Sequence, residues 1–195
     1  MSIVQVIEVF ALVTGVAYAV LEILQRPLMW ILGIATGAAC AWSFATQNLY
    51  ASMGLNIYYV AVSFLGLYRW HRDAVEAPEA KIHLRKLPSG VIVRSAVAMV
   101  ICTAGLSLLL RFLGDSMTVL DAAVAVMSAI ATLWLTKCYL EQWMLWIVVD
   151  VMSAVLCLLS GMYAMAVLYL FYVASAVYGL FHWKKLGEYI NETDN

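Results

Sequence analysis

Of the 195 residues, 65% are apolar or aromatic and 12% are charged; the formal net charge is −1 and the mean hydropathy +0.92. A soluble domain of this size could not hide so much apolar surface in one core, so the chain belongs in a lipid bilayer. It contains no Gly-rich phosphate loop and no GKS or GKT triplet, which excludes direct drive by ATP.

Apolar runs of about twenty residues, the length a bilayer core demands of a helix, predict an all-α integral membrane protein with seven transmembrane helices. The first covers residues 4–24 and is expected to stay uncleaved, because Met1-Ser2 offers no basic leader and no small-residue cleavage site follows. The second, 28–46, carries Trp30, Gly33, Thr36, Gly37 and Ser43, and the third, 51–70, carries Asn56 and Ser63 and ends on Trp70. A polar segment from His71 to Gly90, closed by Pro88-Ser89-Gly90, reads as a linker, in which Lys81-Ile82-His83-Leu84-Arg85 alternates as a short strand would. Further helices are expected over 91–111, 117–136, 140–159 and 162–182, and the tail Asn191 to Asn195 is polar. Cys40, Cys102, Cys138 and Cys157 lack CxxC spacing and read as apolar filler.

The two ends of the chain fall into one gapless register. Tyr59-Val60-Ala61 matches Tyr172-Val173-Ala174, Gly66 matches Gly179, Trp30 matches Trp143, Trp70 matches Trp183, and Glu8 matches Asp121, each 113 positions on. Glu8 and Asp121 sit in first helical turns, where capping is the simpler role. Trp70 and Trp183 end their helices on the same side, so the three-helix units run parallel, joined by the fourth helix in a 3+1+3 plan. The units read as 1–72 and 114–186, with linker and fourth helix over 73–113 and a cytoplasmic tail over 187–195. Basic residues cluster on one side, from Arg26, Arg69, Arg72 and Lys81 to Lys184 and Lys185, against Arg111 on the other. The positive-inside bias puts the N-terminus outside and the C-terminus in the cytoplasm.

Chemistry must come from the helices. Trp143, Trp146 and Asp150 are spaced to share one face of the sixth helix. Asp150 lies roughly 15 Å along from Tyr139, near the bilayer midplane, where a carboxylate is costly and normally faces a cavity or a partner. Two indoles beside a carboxylate suit a flat organic cation. Trp143 is close enough to the boundary for belt and site to be equally open, whereas Trp146, a turn deeper, favours a pocket. Trp30, Trp70, Trp134 and Trp183 read as aromatic belt. In the register Gly33 stands where Trp146 is and Gly37 where Asp150 is; this GxxxG face means either close helix packing or room for the indoles and substrate. Asn56 is the best of the remaining polar residues, since Ser128, Thr132 and their like often bond back to their own helix. His71, His83 and His182 lie at the cytoplasmic surface, so neither a metal site nor a nucleophile–base pair is placed within the membrane. No enzyme, cofactor or nucleic-acid partner is expected. A non-transporting assembly factor is the alternative from another class.

The run from Lys137 through Gln142, Trp143 and Trp146 to Asp150 resembles the signature of the PnuC vitamin transporters, as do Tyr178 to Trp183 and Leu49-Tyr50-Ala51. The resemblance implies a fold like the sugar-carrying SWEET proteins, a homotrimer in the bacterial inner membrane, and facilitated diffusion with trapping by a cytoplasmic vitamin kinase. It also implies that Trp143 and Trp146 stack on the substrate; Gln142, Asp150, Asn56, Gly33 and Gly37 are the further candidate site residues. The nicotinamide riboside pattern of that family has Asn at the positions of Gln142 and Asp150, and Gln and Asn where Asn56 and Ser63 stand. These departures, and the fit of a carboxylic group to an aminopyrimidine, make thiamine the first expectation and nicotinamide riboside the alternative.

Overall fold

The computed structural model describes residues 14–46, 50–112, 118–159, 161 and 163–190. The start of the first expected helix, with Glu8, and the tail Asn191 to Asn195 lie outside the described residues. Seven helices follow in order: α1 (Thr14–Ile23), α2 (Leu28–Thr46), α3 (Tyr50–Glu76), α4 (Ser89–Phe112), α5 (Thr118–Thr136), α6 (Gln142–Leu159) and α7 (Tyr163–Leu186). Four segments, Ser89–Leu109, Val119–Thr136, Gln142–Leu159 and Met165–Leu186, are each long and apolar enough to cross a bilayer. The protein is an all-α membrane protein with one small addition, a parallel ribbon of β1 (Ile82–Leu84) and β2 (Gly187–Tyr189).

Helix α3 runs past the expected end at Trp70 to Glu76. Arg72 and Glu76 pair one turn apart at 3.5 Å, and the helix stops where Pro78 disfavours helical geometry at Ala77. The alternating segment is a strand as its pattern predicts, with Ile82 and Leu84 buried and His83 half-buried. Its partner was not foreseen: β2 begins directly after α7, pairing Ile82 with Gly187 and Leu84 with Tyr189.

The linker is therefore docked on the bundle. The Gln25 side chain accepts from the His83 amide at 2.6 Å and donates to the His83 carbonyl at 2.9 Å, acting as a third edge beside β1. Arg85 donates to both oxygens of Asp73, at 2.7 and 2.6 Å, in a buried bidentate pair. The Arg85 amide bonds the Cys138 carbonyl in the α5–α6 turn. In that turn burial, reinforced by the Asp73 carboxylate, pushes the Cys138 thiol above its ordinary range.

The core at this end is aromatic. Trp30, Trp70, Trp143 and Trp183 are all buried, which corrects the belt reading of Trp30, Trp70 and Trp183. Trp30 meets Trp70 edge-on at 5.1 Å, and the equivalent pair Trp143 and Trp183 meet edge-on at 5.3 Å. Trp30 lies on Gly66 and Trp143 on Gly179, so closely that a methyl at either glycine would overlap the ring. Each indole fills the notch left by a glycine one turn before the tryptophan it touches. Trp134 is half-buried and donates to Ser95 on α4. Helix α4 packs on α5 and keeps Val93, Val97, Val100 and Leu108 on the outer surface.

Candidate functional site

Above the aromatic layer α1, α3, α5, α6 and α7 enclose a cavity of about 310 Å³. Helix α6 brings Trp143, Trp146 and Asp150 to one wall, as their spacing predicts. Trp143 is 2% exposed and Asp150 is 7% exposed. Neither indole N–H, of Trp143 or of Trp146, finds an acceptor. Tyr18, Tyr59, Tyr169 and Tyr172 add four phenols from three other helices.

Facing Asp150 is a second carboxylate that sequence reasoning missed. Glu22, on α1, is 7% exposed, and its Oε1 has no hydrogen-bond partner. It lies four residues before Arg26, and its place near a loop hid its depth. The available signal was Tyr18 and Glu22 at one-turn spacing in an otherwise apolar run. Among the described residues, no Lys, Arg or His lines the cavity. Gln142 does not line it; it is fully buried beside Glu22.

Gly33, Gly37 and Asn56 line a neighbouring cavity of about 270 Å³, separated from the first by Trp146. The GxxxG face packs closely: a methyl at Gly33 would come 2.8 Å from the Ser63 hydroxyl, and one at Gly37 2.9 Å from Val60. The motif therefore packs closely, and both glycines share a cavity with Trp146. Thr36 and Thr132 donate to their own helices at 2.8 Å, as does Ser128 in the main cavity. Among the described residues, the smaller cavity has neutral polar walls and no charged side chain.

The two cavities are related by the register of the chain. Gly33 and Trp146, Gly37 and Asp150, Asn56 and Tyr169, Tyr59 and Tyr172, and Ser63 and Ala176 are equivalent positions 113 apart, the first of each pair lining the neutral cavity and the second the acidic one. Both halves contribute to each cavity: Tyr18, Glu22 and Tyr59 of the first half reach the acidic one, and Thr132 and Trp146 of the second reach the neutral one. No trio of His, Cys, Asp or Glu converges on a metal position among the described residues.

A family model described as nicotinamide mononucleotide transporter matches residues 5–185. The nicotinamide riboside transporter PnuC of Escherichia coli (strain K12) is 23% identical over 205 residues, covering 91% of this chain and 84% of that protein. The nicotinamide riboside transporter PnuC of Neisseria mucosa is 29% identical over 188 residues, covering 90% of this chain and 71% of that protein. The crystal structure of the vitamin B3 transporter PnuC is similar with a TM-score of 0.68 at 25% identity, covering 90% of this chain and 79% of that one.

Proposed function

The chain belongs to the nicotinamide mononucleotide transporter family, and on that premise we propose that it carries nicotinamide riboside into the bacterial cell. The observation that carries the reading is a membrane cavity with two indoles, two buried carboxylates and, among the described residues, no cationic side chain in its walls. A flat monocation supplies the missing positive charge, and each indole contributes about 0.5–2 kcal/mol of cation–π attraction. The neutral cavity beyond Trp146 offers Asn56 and Ser63 to sugar hydroxyls. Gln142 holds the acidic wall from behind.

Thiamine, the first expectation from the sequence, shares the charge and flatness. That expectation gave Asp150 a unique hydrogen-bonding task, whereas Asp150 shares its cavity with Glu22, and a pair of carboxylates answers to charge first. The relatives are named for nicotinamide riboside, which therefore takes thiamine's place. Family membership also sets aside the assembly-factor reading.

The equivalent Trp–Gly contacts and the equivalent cavities support a 3+1+3 arrangement of parallel units like that of the SWEET proteins. Charge bias supports an external N-terminus and a cytoplasmic linker. The outward apolar face of α4 suits lipid and a homotrimer contact. Phosphorylation by a cytoplasmic kinase would withdraw the vitamin after entry.

Uptake of labelled nicotinamide riboside and of labelled thiamine into liposomes holding the purified protein tests the assignment. Saturable nicotinamide riboside uptake, with thiamine a weak competitor, is expected. Uptake of thiamine alone would reverse the substrate assignment, and uptake of neither would end the transport reading.

A further inference from the structure

At the basic end of the bundle α3, α4 and α5 leave a further cavity between them, about 380 Å³ in volume. Arg69 of α3, Arg94 of α4 and Lys137 in the turn after α5 all line it, and no carboxylate does so among the described residues. Each cation is held by neutral groups. Arg69 Nη1 donates to the Thr136 hydroxyl at 2.7 Å. Arg94 Nε donates to the Gly90 carbonyl at 3.1 Å, so the side chain reaches one turn back, toward the start of α4 and the membrane surface. Lys137 Nζ stands 5.9 Å from the centre of the Tyr139 ring. None of the three forms an ion pair with a described residue, and the Asp73 carboxylate is committed to Arg85. Beneath the cations the walls turn apolar. Leu65 lies one turn deeper on α3 than Arg69, and Leu133 and Ile130 lie one and two turns deeper on α5 than Lys137. Arg94 and Leu133 are exposed, so the groove is open at its side, next to the outward apolar face of α4.

We propose that this groove binds an anionic phospholipid, with the lipid phosphate among Arg69, Arg94 and Lys137 and the start of an acyl chain along Leu65, Leu133 and Ile130. Three cations in one groove without a counter-charge repel one another, and a phosphate diester supplies the missing anion. Beyond the two bonds given above, the N–H groups of Arg69 and Arg94 find no acceptor among the described residues. The planar fork of a guanidinium fits the oxygens of a phosphate. A soluble phosphate would satisfy the basic rim alone, whereas a phospholipid is charged at the membrane surface and apolar below it, as the groove is. The same three charges repel a cationic vitamin, so the groove is no second transport site. Helix α4 packs on α5, and α5 on α3. A lipid shared by Arg69 and Arg94 ties α3 to α4 and holds the fourth helix on the bundle. The site is independent of which vitamin the acidic cavity carries.

The test uses the full-length protein in phosphatidylcholine vesicles, titrated with phosphatidylglycerol brominated on its acyl chains, since bromine quenches an indole on contact. Trp134 lines the groove, with its N–H on Ser95. Brominated phosphatidylglycerol should therefore quench more than equally brominated phosphatidylcholine. The excess should saturate, and it should vanish in Trp134→Phe. Arg94→Gln and Lys137→Gln should each raise the half-saturating lipid fraction by about fivefold, the loss expected for one cation facing an anionic headgroup. Arg69 is left intact, because its bond to Thr136 also serves the packing of α3 on α5. Joint replacement of Lys184→Gln and Lys185→Gln, basic residues of α7 outside the groove, should leave the titration unchanged. Inorganic phosphate at millimolar concentration should not displace the lipid. Equal quenching by the two lipids overturns the site, as does an excess that the α7 changes reduce as much as Arg94→Gln and Lys137→Gln do. Displacement by inorganic phosphate overturns the lipid assignment. Should a glutamine variant fail to fold, the comparison of the two lipids with and without Trp134 decides the matter.

Discussion

At the scale of single residues, depth and direction must be separated. Trp146 and Trp183 are both indoles in apolar helices, yet only Trp146 lies between the two cavities. Trp146→Ala should weaken nicotinamide riboside binding by about 1–3 kcal/mol, the range for an aromatic platform under a flat ring. Titration followed through the remaining tryptophan fluorescence measures it, and the melting temperature should barely change. Trp183 has no exposed surface, meets Trp143 edge-on, and donates its N–H to the Ile23 carbonyl at 2.9 Å. Its removal leaves a large void and an unpaired carbonyl, so Trp183→Ala should cost about 3–5 kcal/mol of stability and melt early in detergent. Gly179→Ala offers a finer probe, because the added methyl meets the Trp143 ring in the cavity wall. Vitamin affinity should fall at Gly179, whereas the same change at Gly66, which meets Trp30 outside that wall, should spare it.

Among the elements, the linker departs furthest from its sequence appearance. A polar stretch bounded by Pro and Gly looks like a tether, and only the alternation around Ile82 and Leu84 hinted at structure. The remainder depends on partners far along the chain: Gln25 for His83, Asp73 for Arg85, and Gly187–Tyr189 for the strand. No local periodicity can report such pairings, which is why β2 and the clamp were illegible while the seven helices were not. The clamp is testable because its ion pair is buried. Asp73→Asn leaves the Arg85 charge stranded and should destabilise the fold by about 3–5 kcal/mol. Joint replacement, Asp73→Leu with Arg85→Met, should cost clearly less, and thermal melts of the singles and the double measure the difference. Cys138 reports on the same spot. Its thiol is buried, 3.9 Å from the Asp73 carboxylate and held above its ordinary range, so thiolate is scarce at neutral pH. It should resist maleimide in the native protein and react in Asp73→Asn once the clamp opens.

On the scale of the whole molecule the internal register is what made both fold and site legible. Matches of Trp, Gly and Tyr marked residues that turn out to pack identically in the two halves, Trp30 on Gly66 and Trp143 on Gly179. The mismatches, Gly33 against Trp146 and Gly37 against Asp150, marked positions that line the neutral and the anionic cavity. Glu22 escaped because its counterpart, Leu135, is apolar, so neither match nor charge pattern singled it out. The charge bias proposes an orientation across the bilayer, and α4 is the place to test it. Ser89 and Phe112 are its two ends, both exposed, and its apolar length separates them by a membrane's thickness. Single cysteines placed at Ser89 and at Phe112, in a background without Cys40, Cys102, Cys138 and Cys157, should label differently in intact cells. Ser89→Cys, on the side of the docked linker and the basic residues, should react only with membrane-permeant maleimides. Phe112→Cys should react with impermeant ones. Opening the cells should make the two sites equally reactive, which controls for burial. The opposite pattern would turn the molecule over and send the vitamin outward by the same cavity, whereas equal labelling of both sites in intact cells would mean that α4 does not span the membrane.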